Sequence, residues 1–232
     1  MDKLIFSKKV IQLKDDIFEV AGLAQGNYDV QAVQYDKLIS SQLYNRLMWG
    51  NLPKDYAAFN RKAIEIHPGG TIADIACGTL SFSADVYAKI CPENLVLCDL
   101  SYEMLRIGKE RITRLTADDP GFTFLRSDAL NLPFADRSIQ TLICIGFIHV
   151  LNEPELLLKE LLRVLKPGGS LYLTSLCTDR KFSARYLRLL HKKGHVSTPK
   201  HSSEVLQLVS GQGFKIVNSW VKGGMVYIQA SK

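Results

Sequence analysis

The sequence predicts an α/β fold: an open sheet of seven mostly parallel strands closed by an antiparallel hairpin, with a helical cap in front. Three observations predict it. From His67 onward, short apolar runs of strand length alternate with segments of helical periodicity, the signature of strand–helix–strand units. The run Ile139 to Ile145 is apolar on both faces, as a strand covered by helices on two sides must be. The last two runs are joined only by Lys222-Gly223-Gly224, too short for anything but an antiparallel turn. With 232 residues, 47% hydrophobic and 22% charged, the chain has the composition of a globular protein with one large domain, or one domain and a smaller cap.

Residues 1–66 form the expected cap and 67–232 the expected core. Val10 to Leu23 reads as an amphipathic helix, with Val10, Leu13, Ile17, Val20 and Ala24 roughly on one face. Gln25-Gly26-Asn27-Tyr28 is the loop after it. Val33 to Trp49 carries Leu38, Leu43, Leu47 and Met48 at helical spacing, and Pro53 breaks that helix before another from Asp55 to Ile66.

The core elements follow in order. Ile72 to Ala76 is the first strand and Ser81 to Ile90 its helix. Leu95 to Cys98 is the second strand, closed by Asp99. Ser101 can cap the next helix, with Glu103 in its first turn, where an acid suits the helix dipole. Phe122 to Leu125 and Ile139 to Ile145 are the third and fourth strands. Asn152 and Glu155 have the spacing of a capping box ahead of a Leu-striped helix. Lys166-Pro167-Gly168-Gly169 stops that helix, and Ser170 to Leu176 is the fifth strand. A helix from Ser202 or Ser203 to Val209 precedes the closing strands Phe214 to Ser219 and Met225 to Ala230.

Five cysteines form no Cys-x-x-Cys pair, which suits reduced thiols and a cytoplasmic location. No apolar stretch reaches the length of a membrane span, so none is expected. The net charge of +6 is concentrated. Residues 181–200 hold six Lys/Arg and no acid, while outside them 23 basic residues face 23 acidic ones. Such a patch is either a solvated helix face or a surface for an anionic partner, RNA included. His191, His195 and His201 are too irregularly spaced to suggest a metal site, and no metal is expected.

In an open α/β sheet, ligands sit beyond the carboxyl ends of the strands. The first such end, Asp74-Ile75-Ala76-Cys77-Gly78-Thr79-Leu80, turns on small residues that allow a ligand close to the backbone. It lacks the Gly-x-Gly-x-x-Gly spacing of a nicotinamide-cofactor loop. The second end is Asp99, placed to accept ribose hydroxyls; the third is Asp128-Ala129; the fourth is Ile145-Gly146, leading to His149. Here four motifs stand in order. The first turn resembles the Asp-x-Gly-Cys-Gly-Thr-Gly of class I S-adenosylmethionine (SAM) dependent methyltransferases, with Ala76 and Leu80 in place of two glycines. Asp99-Leu100-Ser101-Tyr102-Glu103-Met104-Leu105, Asp128-Ala129-Leu130-Asn131-Leu132-Pro133-Phe134 and Arg163-Val164-Leu165-Lys166-Pro167-Gly168-Gly169 are similar to later motifs of the same family. The resemblance covers about residues 70–175, and the group it points to includes the ubiquinone/menaquinone-type enzymes.

The resemblance implies a Rossmann-like fold and SAM as cofactor, with S-adenosylhomocysteine as product. It implies that Asp74, Ala76, Cys77 and Gly78 line the methionine end, that Asp99 holds the ribose, and that Leu100 or Met104 packs on adenine. Asp128 and the Ala129 amide would read the adenine edge, and the carbonyl of Ile145 or Gly146 would face the methionine ammonium. Leu80 is expected to point into the core. His149 is the candidate proton acceptor at neutral pH, and Tyr28, Tyr35 and Trp49 are candidates for lid or substrate contact. No Asn-Pro-Pro-Tyr-like element follows the fourth strand, which argues against methylation of a base amino group. A small acceptor, anionic or aromatic, is therefore expected. The alternatives are an RNA methyltransferase and a SAM-binding interaction module without turnover. The sequence leaves oligomeric state open.

Overall fold

The computed structural model describes residues 5–23, 32–117 and 119–232, with Ala32, Gln34 and Tyr35 described in backbone only. One sheet of nine strands runs through it: β1 Val10–Gln12, β2 Ile17–Val20, β3 Ile72–Ile75, β4 Leu95–Asp99, β5 Thr123–Arg126, β6 Ile139–Cys144, β7 Leu165–Leu176, β8 Lys215–Lys222 and β9 Met225–Ser231. Their order is β1-β2-β5-β4-β3-β6-β7-β9-β8. The strands from β2 to β7 pair in parallel, while β1, β9 and β8 run antiparallel to their neighbours. The chain winds outward from β3 through β4 to β5, then returns to place β6 on the other side of β3. The order therefore reverses between β3 and β6, where an open α/β sheet has its crevice.

Both faces of the central strands are buried, as their apolar composition demands. Ala73, Ile75, Val96, Cys98, Leu142 and Cys144 pack into one layer; Ile72, Leu95, Leu97 and Ile143 pack into the other. The helices are α1 Ala32–Ile39, α2 Gln42–Tyr44, α3 Pro53–Glu65, α4 Ala84–Ile90, α5 Tyr102–Thr113, α6 Pro154–Val164, α7 Lys181–Lys192 and α8 Ser202–Gly211. Leu157, Leu158, Leu161 and Val164 of α6 are fully buried in the first layer. Tyr56, Phe59, Ala63 and Ile64 of α3 line the second. Among the described residues, no helix is long and apolar enough to cross a membrane.

Several boundaries differ from the sequence expectation, each for a local reason. Val10 to Leu23 is a hairpin, not a helix, so the sheet has nine strands where seven were expected. Asp15 and Asp16 take left-handed backbones (φ 58° and 51°) that interrupt any helix there. The flanking β-branched residues suit strands, and Ile17, Phe18 and Glu19 find an open partner edge in Phe124, Leu125 and Arg126. The predicted loop 25–28 lies outside the described residues. The helix expected over Val33 to Trp49 splits at Ser40-Ser41. The Ser41 hydroxyl caps α2 by accepting from the Tyr44 amide (3.2 Å), and α2 runs on as a π-helical turn, Asn45–Trp49. Asn45 donates to the Ile39 and Ser41 carbonyls at 2.6 and 2.9 Å, satisfying groups the break leaves open.

Pro53 opens α3 at its first turn, where its missing N–H costs nothing. The helix after β3 begins at Ala84, later than Ser81, because residues 80–83 are spent in turns. The Asn152–Glu155 capping box does not form. Glu153 holds the cap position without a side-chain bond, and Pro154 starts α6. Lys166 to Gly169 belong to β7, where Gly168 and Gly169 exchange backbone bonds with Lys232 (both 3.2 Å).

The N-terminal helices dock on the turn between β8 and β9. The Gly224 amide donates to the Trp49 carbonyl at 2.7 Å, and Asn51 donates to the Lys222 carbonyl at 2.7 Å. Tyr227 donates to Asn51 at 3.2 Å, and Lys222 pairs with Asp55 at 2.8 Å. A Cβ on Gly223 would lie 2.0 Å from the Trp49 carbonyl oxygen, and its φ of 59° is also one that side chains resist. Gly223→Ala should therefore lower the stability by roughly 2–4 kcal/mol, as overpacking against backbone and a left-handed alanine together imply. Chemical denaturation of the two proteins checks this; an unchanged midpoint would contradict the docking geometry.

Candidate active site

The sheet register brings four strand ends to one edge. Asp74 of β3 is level with Leu97 and Ile143, and Asp99 of β4 is level with Arg126 of β5. The Ser127 amide donates to the Asp99 carbonyl at 2.9 Å, which carries the chain past β5 to Asp128. Asp74, Asp99 and Asp128 thus crown adjacent strands, with Ile145 and Gly146 following β6 on the other side of β3. Asp74 and Ala129 are buried. Ala76, Cys77, Gly78, Asp99, Leu100, Met104, Asp128, Ile145 and Gly146 are half-buried, forming an accessible rim on that edge.

The turn after β3 is held by β4. The Cys77 amide donates to the Cys98 carbonyl (2.9 Å), and the Gly78 amide to an Asp99 carboxylate oxygen (2.8 Å). The other Asp99 oxygen accepts from the Ser101 amide at 2.9 Å, and Ser101 in turn caps α5 by accepting from the Met104 amide at 3.1 Å. Ala76, Gly78 and Leu80 all have left-handed backbones, with φ of 56°, 57° and 57°. Two of these positions carry side chains where glycine would be relaxed. The Leu80 side chain is fully buried and rests on Gly108 of α5, so it points into the core, away from the rim. Its burial offsets the cost of about 1–2 kcal/mol for the left-handed residue.

Asp74 accepts a 2.7 Å hydrogen bond from the buried Tyr87 hydroxyl. Burial raises its pKa to about 7, the Tyr87 bond opposes the rise, and the Asp99 charge adds to it. Burial, and then Asp74 and Asp99, push the Cys77 thiol well above its usual range, so it is neutral. Asp128 accepts from the Leu130 amide at 2.9 Å, an Asx turn that fixes its carboxylate.

The residues present fit the cofactor that the resemblance implies. A Cβ built on Gly78 or on Gly146 (φ 71°) meets nothing within 4 Å, so there is open space beside both backbones that flank the crevice. Carboxylates stand at the next two strand ends, the chemistry needed for a diol and an exocyclic amine.

Two features of this edge have no sequence signal. Asp36 of α1 accepts from the Thr79 hydroxyl, from Ser81 (2.5 Å) and from Arg111 of α5 (2.8 Å). Arg111 also donates to the Thr79 carbonyl at 2.6 Å, so α1 and α5 are clipped to the end of the turn. Burial pushes the Asp36 carboxyl up, but the bonds from Arg111, Ser81 and Thr79 outweigh it and hold its pKa below the usual value. Behind Asp99, buried Arg126 donates to the Leu100 carbonyl (2.9 Å) and pairs with Glu19 of β2.

The remaining candidates are dispersed. His149 lies in a 3-10 turn after β6. Its Nδ1 accepts from the Leu176 amide at 3.3 Å, and its carbonyl accepts from Ser197 at 3.0 Å. Burial pushes the imidazole down to about 4. It lines a small cavity with Ser175, Ser197 and Lys200. Trp49, expected at a lid, is buried against Tyr44 and Tyr186 at ring distances of 6.3 and 5.3 Å, and so serves as a brace. Tyr35 sits on α1 without a described side chain, and Tyr28 lies outside the described residues.

Residues 73–173 match the family model described as a methyltransferase domain. The chain is similar to the demethylmenaquinone methyltransferase of Paenarthrobacter aurescens, 40% identical over 110 residues, which are 47% of this chain and 40% of that protein. It is also similar to the demethylmenaquinone methyltransferase of Thermobifida fusca, 31% identical over 160 residues, 69% of this chain and 62% of that one. The chain thus spans about half the length of the curated relatives it matches. Among solved structures, a SAM-dependent methyltransferase from Thermotoga maritima superposes with a TM-score of 0.62 at 20% identity, covering 88% of this chain and 98% of that one. Geranyl diphosphate C-methyltransferase from Streptomyces coelicolor gives 0.59 at 14% identity over 75% of each chain. At these identities the structural likeness speaks for the fold.

The protonation of Asp74 gives a signed prediction. The folded protein holds its proton up to about pH 7, whereas the ordinary value is 3.8. The folded state therefore binds more protons between those values, and Asp74's contribution to stability falls as pH rises through that window. Asp74→Asn removes the titration while Asn Oδ1 can still accept from Tyr87. The melting temperature of wild type minus that of D74N should decrease from pH 4 to pH 7 and level off above; a difference independent of pH would refute the raised pKa.

Proposed function

Because the chain belongs, by the domain it carries over residues 73–173, to the class I SAM-dependent methyltransferases, we propose that it transfers a methyl group from SAM to a small-molecule acceptor. One observation carries the reading: carboxylates at the ends of β4 and β5 flank a turn whose Gly78 amide is already bonded to Asp99. When bound, SAM supplies an electrophilic methyl on a sulfonium. The protein's part is to orient it, align the acceptor with it and exclude water.

In this proposal Asp99 receives the ribose hydroxyls, while Leu100 and Met104 flank the adenine. Asp128 and the Ala129 amide read the adenine edge. Asp74, Ala76, Cys77 and Gly78 border the methionine end, and the Ile145 or Gly146 carbonyl faces its ammonium. The N-terminal region is the proposed cover, with α1 clipped to the turn through Asp36. The acceptor class rests on the relatives: two are demethylmenaquinone methyltransferases and one solved neighbour is a geranyl diphosphate C-methyltransferase, all acting on small molecules by name. A small aromatic or anionic acceptor is therefore favoured over RNA.

His149 is assigned a positioning role. Its Nδ1 lone pair accepts the Leu176 amide, so it is not presented to an acceptor. The test is the pH–rate profile of His149→Asn, in which Asn Oδ1 can take over the Leu176 bond. The profile should keep its shape; loss of its acidic limb in H149N would restore the base assignment.

Titrating SAM into the protein by calorimetry tests the cofactor. Asp99→Ala should weaken binding about ten- to a hundredfold, from loss of charge-assisted bonds worth roughly 1.5–3 kcal/mol. No heat with wild type would sink the enzyme reading. Binding without turnover on a panel of small aromatic and anionic acceptors would instead favour a SAM-binding module.

A further inference from the structure

Helix α7 carries more exposed apolar surface than a solvated helix needs. Phe182 and Leu189 are seven residues apart, about two turns, and so lie on one line along the helix. They are 51% and 47% exposed. Beside this ridge, on the flank turned from the core, stand Lys181, Arg185, Arg188 and Lys192, all exposed. Among the described residues, none of these four cations has an ion-pair partner. The opposite face, through Ser183, Ala184 and Leu187, is buried.

The N-terminal region carries exposed apolar side chains as well. Leu43 and Leu47, one turn apart, are 66% and 50% exposed. Arg180 joins the two elements. Its guanidinium lies 5.5 Å from the Phe182 ring and donates to the Leu47 carbonyl at 3.0 Å. Ser183 donates to the Met48 carbonyl at 2.7 Å, and the Tyr44 and Tyr186 hydroxyls are bonded at 3.2 Å. Leu43, Leu47, Phe182 and Leu189 are thus four exposed apolar side chains on two elements bonded to each other, with cations along α7.

We propose that this face seats on a bilayer surface bearing anionic lipids, with the four side chains in the headgroup–acyl boundary and the cations against the headgroups. An apolar ridge with a Lys/Arg flank is the arrangement that interfacial helices use. Charge complementarity selects the partner, since residues 181–200 hold six cations and no acid. Aliphatic side chains separate this surface from an RNA-binding one. Three of the four apolar residues are leucines, which offer bases no ring to stack on. Helix α7 begins shortly past the carboxyl end of β7, the sheet edge that carries Asp99 and Gly146. The inference itself does not depend on which acceptor is methylated.

Co-sedimentation with vesicles tests it. The protein should bind vesicles of equal parts phosphatidylcholine and phosphatidylglycerol, bind phosphatidylcholine alone far less, and release with rising salt. Phe182→Ser with Leu189→Ser keeps the charge and should lower partitioning at least about tenfold. Arg185→Gln with Arg188→Gln should lower it by about fivefold per charge on the mixed vesicles. All these positions are exposed, and melting temperatures verify that the variants stay folded. Failure to bind the mixed vesicles, or partitioning indifferent to the F182S/L189S pair, overturns the proposal. So does release by single-stranded poly(U) that binds wild type and the F182S/L189S protein equally, which would make the face a nucleic-acid surface.

Discussion

The bond from the Gly78 amide to the Asp99 carboxylate is the constraint on which the candidate site depends. Three alternate left-handed positions, Ala76, Gly78 and Leu80, two of them with side chains, make the turn after β3 an expensive conformation that local preference would not choose. It persists because the neighbouring strand holds it. Asp99 supplies an acceptor where the turn has an unpaired donor, and the same carboxylate receives Ser101, the cap of α5. One side chain therefore couples the end of β4, the turn after β3 and the start of a helix. The parallel register of β3 and β4 brings these three together; a slip of one residue would turn the Asp99 side chain to the other face.

Two of the contacts that hold the N-terminal helices differ in character. At the turn after β3 the hold is ionic: Asp36 with Arg111, Thr79 and Ser81. At the β8–β9 turn it is steric and backbone-mediated, through Gly223, Gly224 and the Trp49 carbonyl. The second is a close approach that tolerates no side chain. The first is a charged cluster, part of it open to water, where screening weakens the attraction.

The parallel core was legible because its signals are local and redundant. Strand-length apolar runs, an acid at each of the first three strand ends and the Ser101 cap can each be read within ten residues, and Asp99 and Ser101 stand where expected. The β1–β2 hairpin was not legible. Val10, Leu13, Ile17 and Val20 satisfy a helical period, and what decides for a strand is the free edge of β5, about a hundred residues away. The candidate rim on the strand ends was legible for the same reason as the core. The Asp36–Arg111 clip was not, since an acid in one helix and a base in another carry no mark of their pairing until the fold joins them. His149 was read from its type and place alone. The backbone amide of Leu176, which occupies its Nδ1, comes from a different strand and leaves no trace near residue 149.

The glycine dock also orders events in time. Asn51 and the Lys222 carbonyl that it binds are 171 residues apart. A ribosome making this chain at about 5–20 residues per second would take on the order of ten seconds or more between them. Throughout that interval the Trp49 carbonyl and Asn51 lack the partners that the β8–β9 turn supplies. The parallel strands β3 to β7 can assemble meanwhile, and the β8–β9 hairpin then arrives last, as both the final edge of the sheet and the seat of the cap. A nascent chain stalled before Gly223 would leave the Trp49 carbonyl and Asn51 without that last contact.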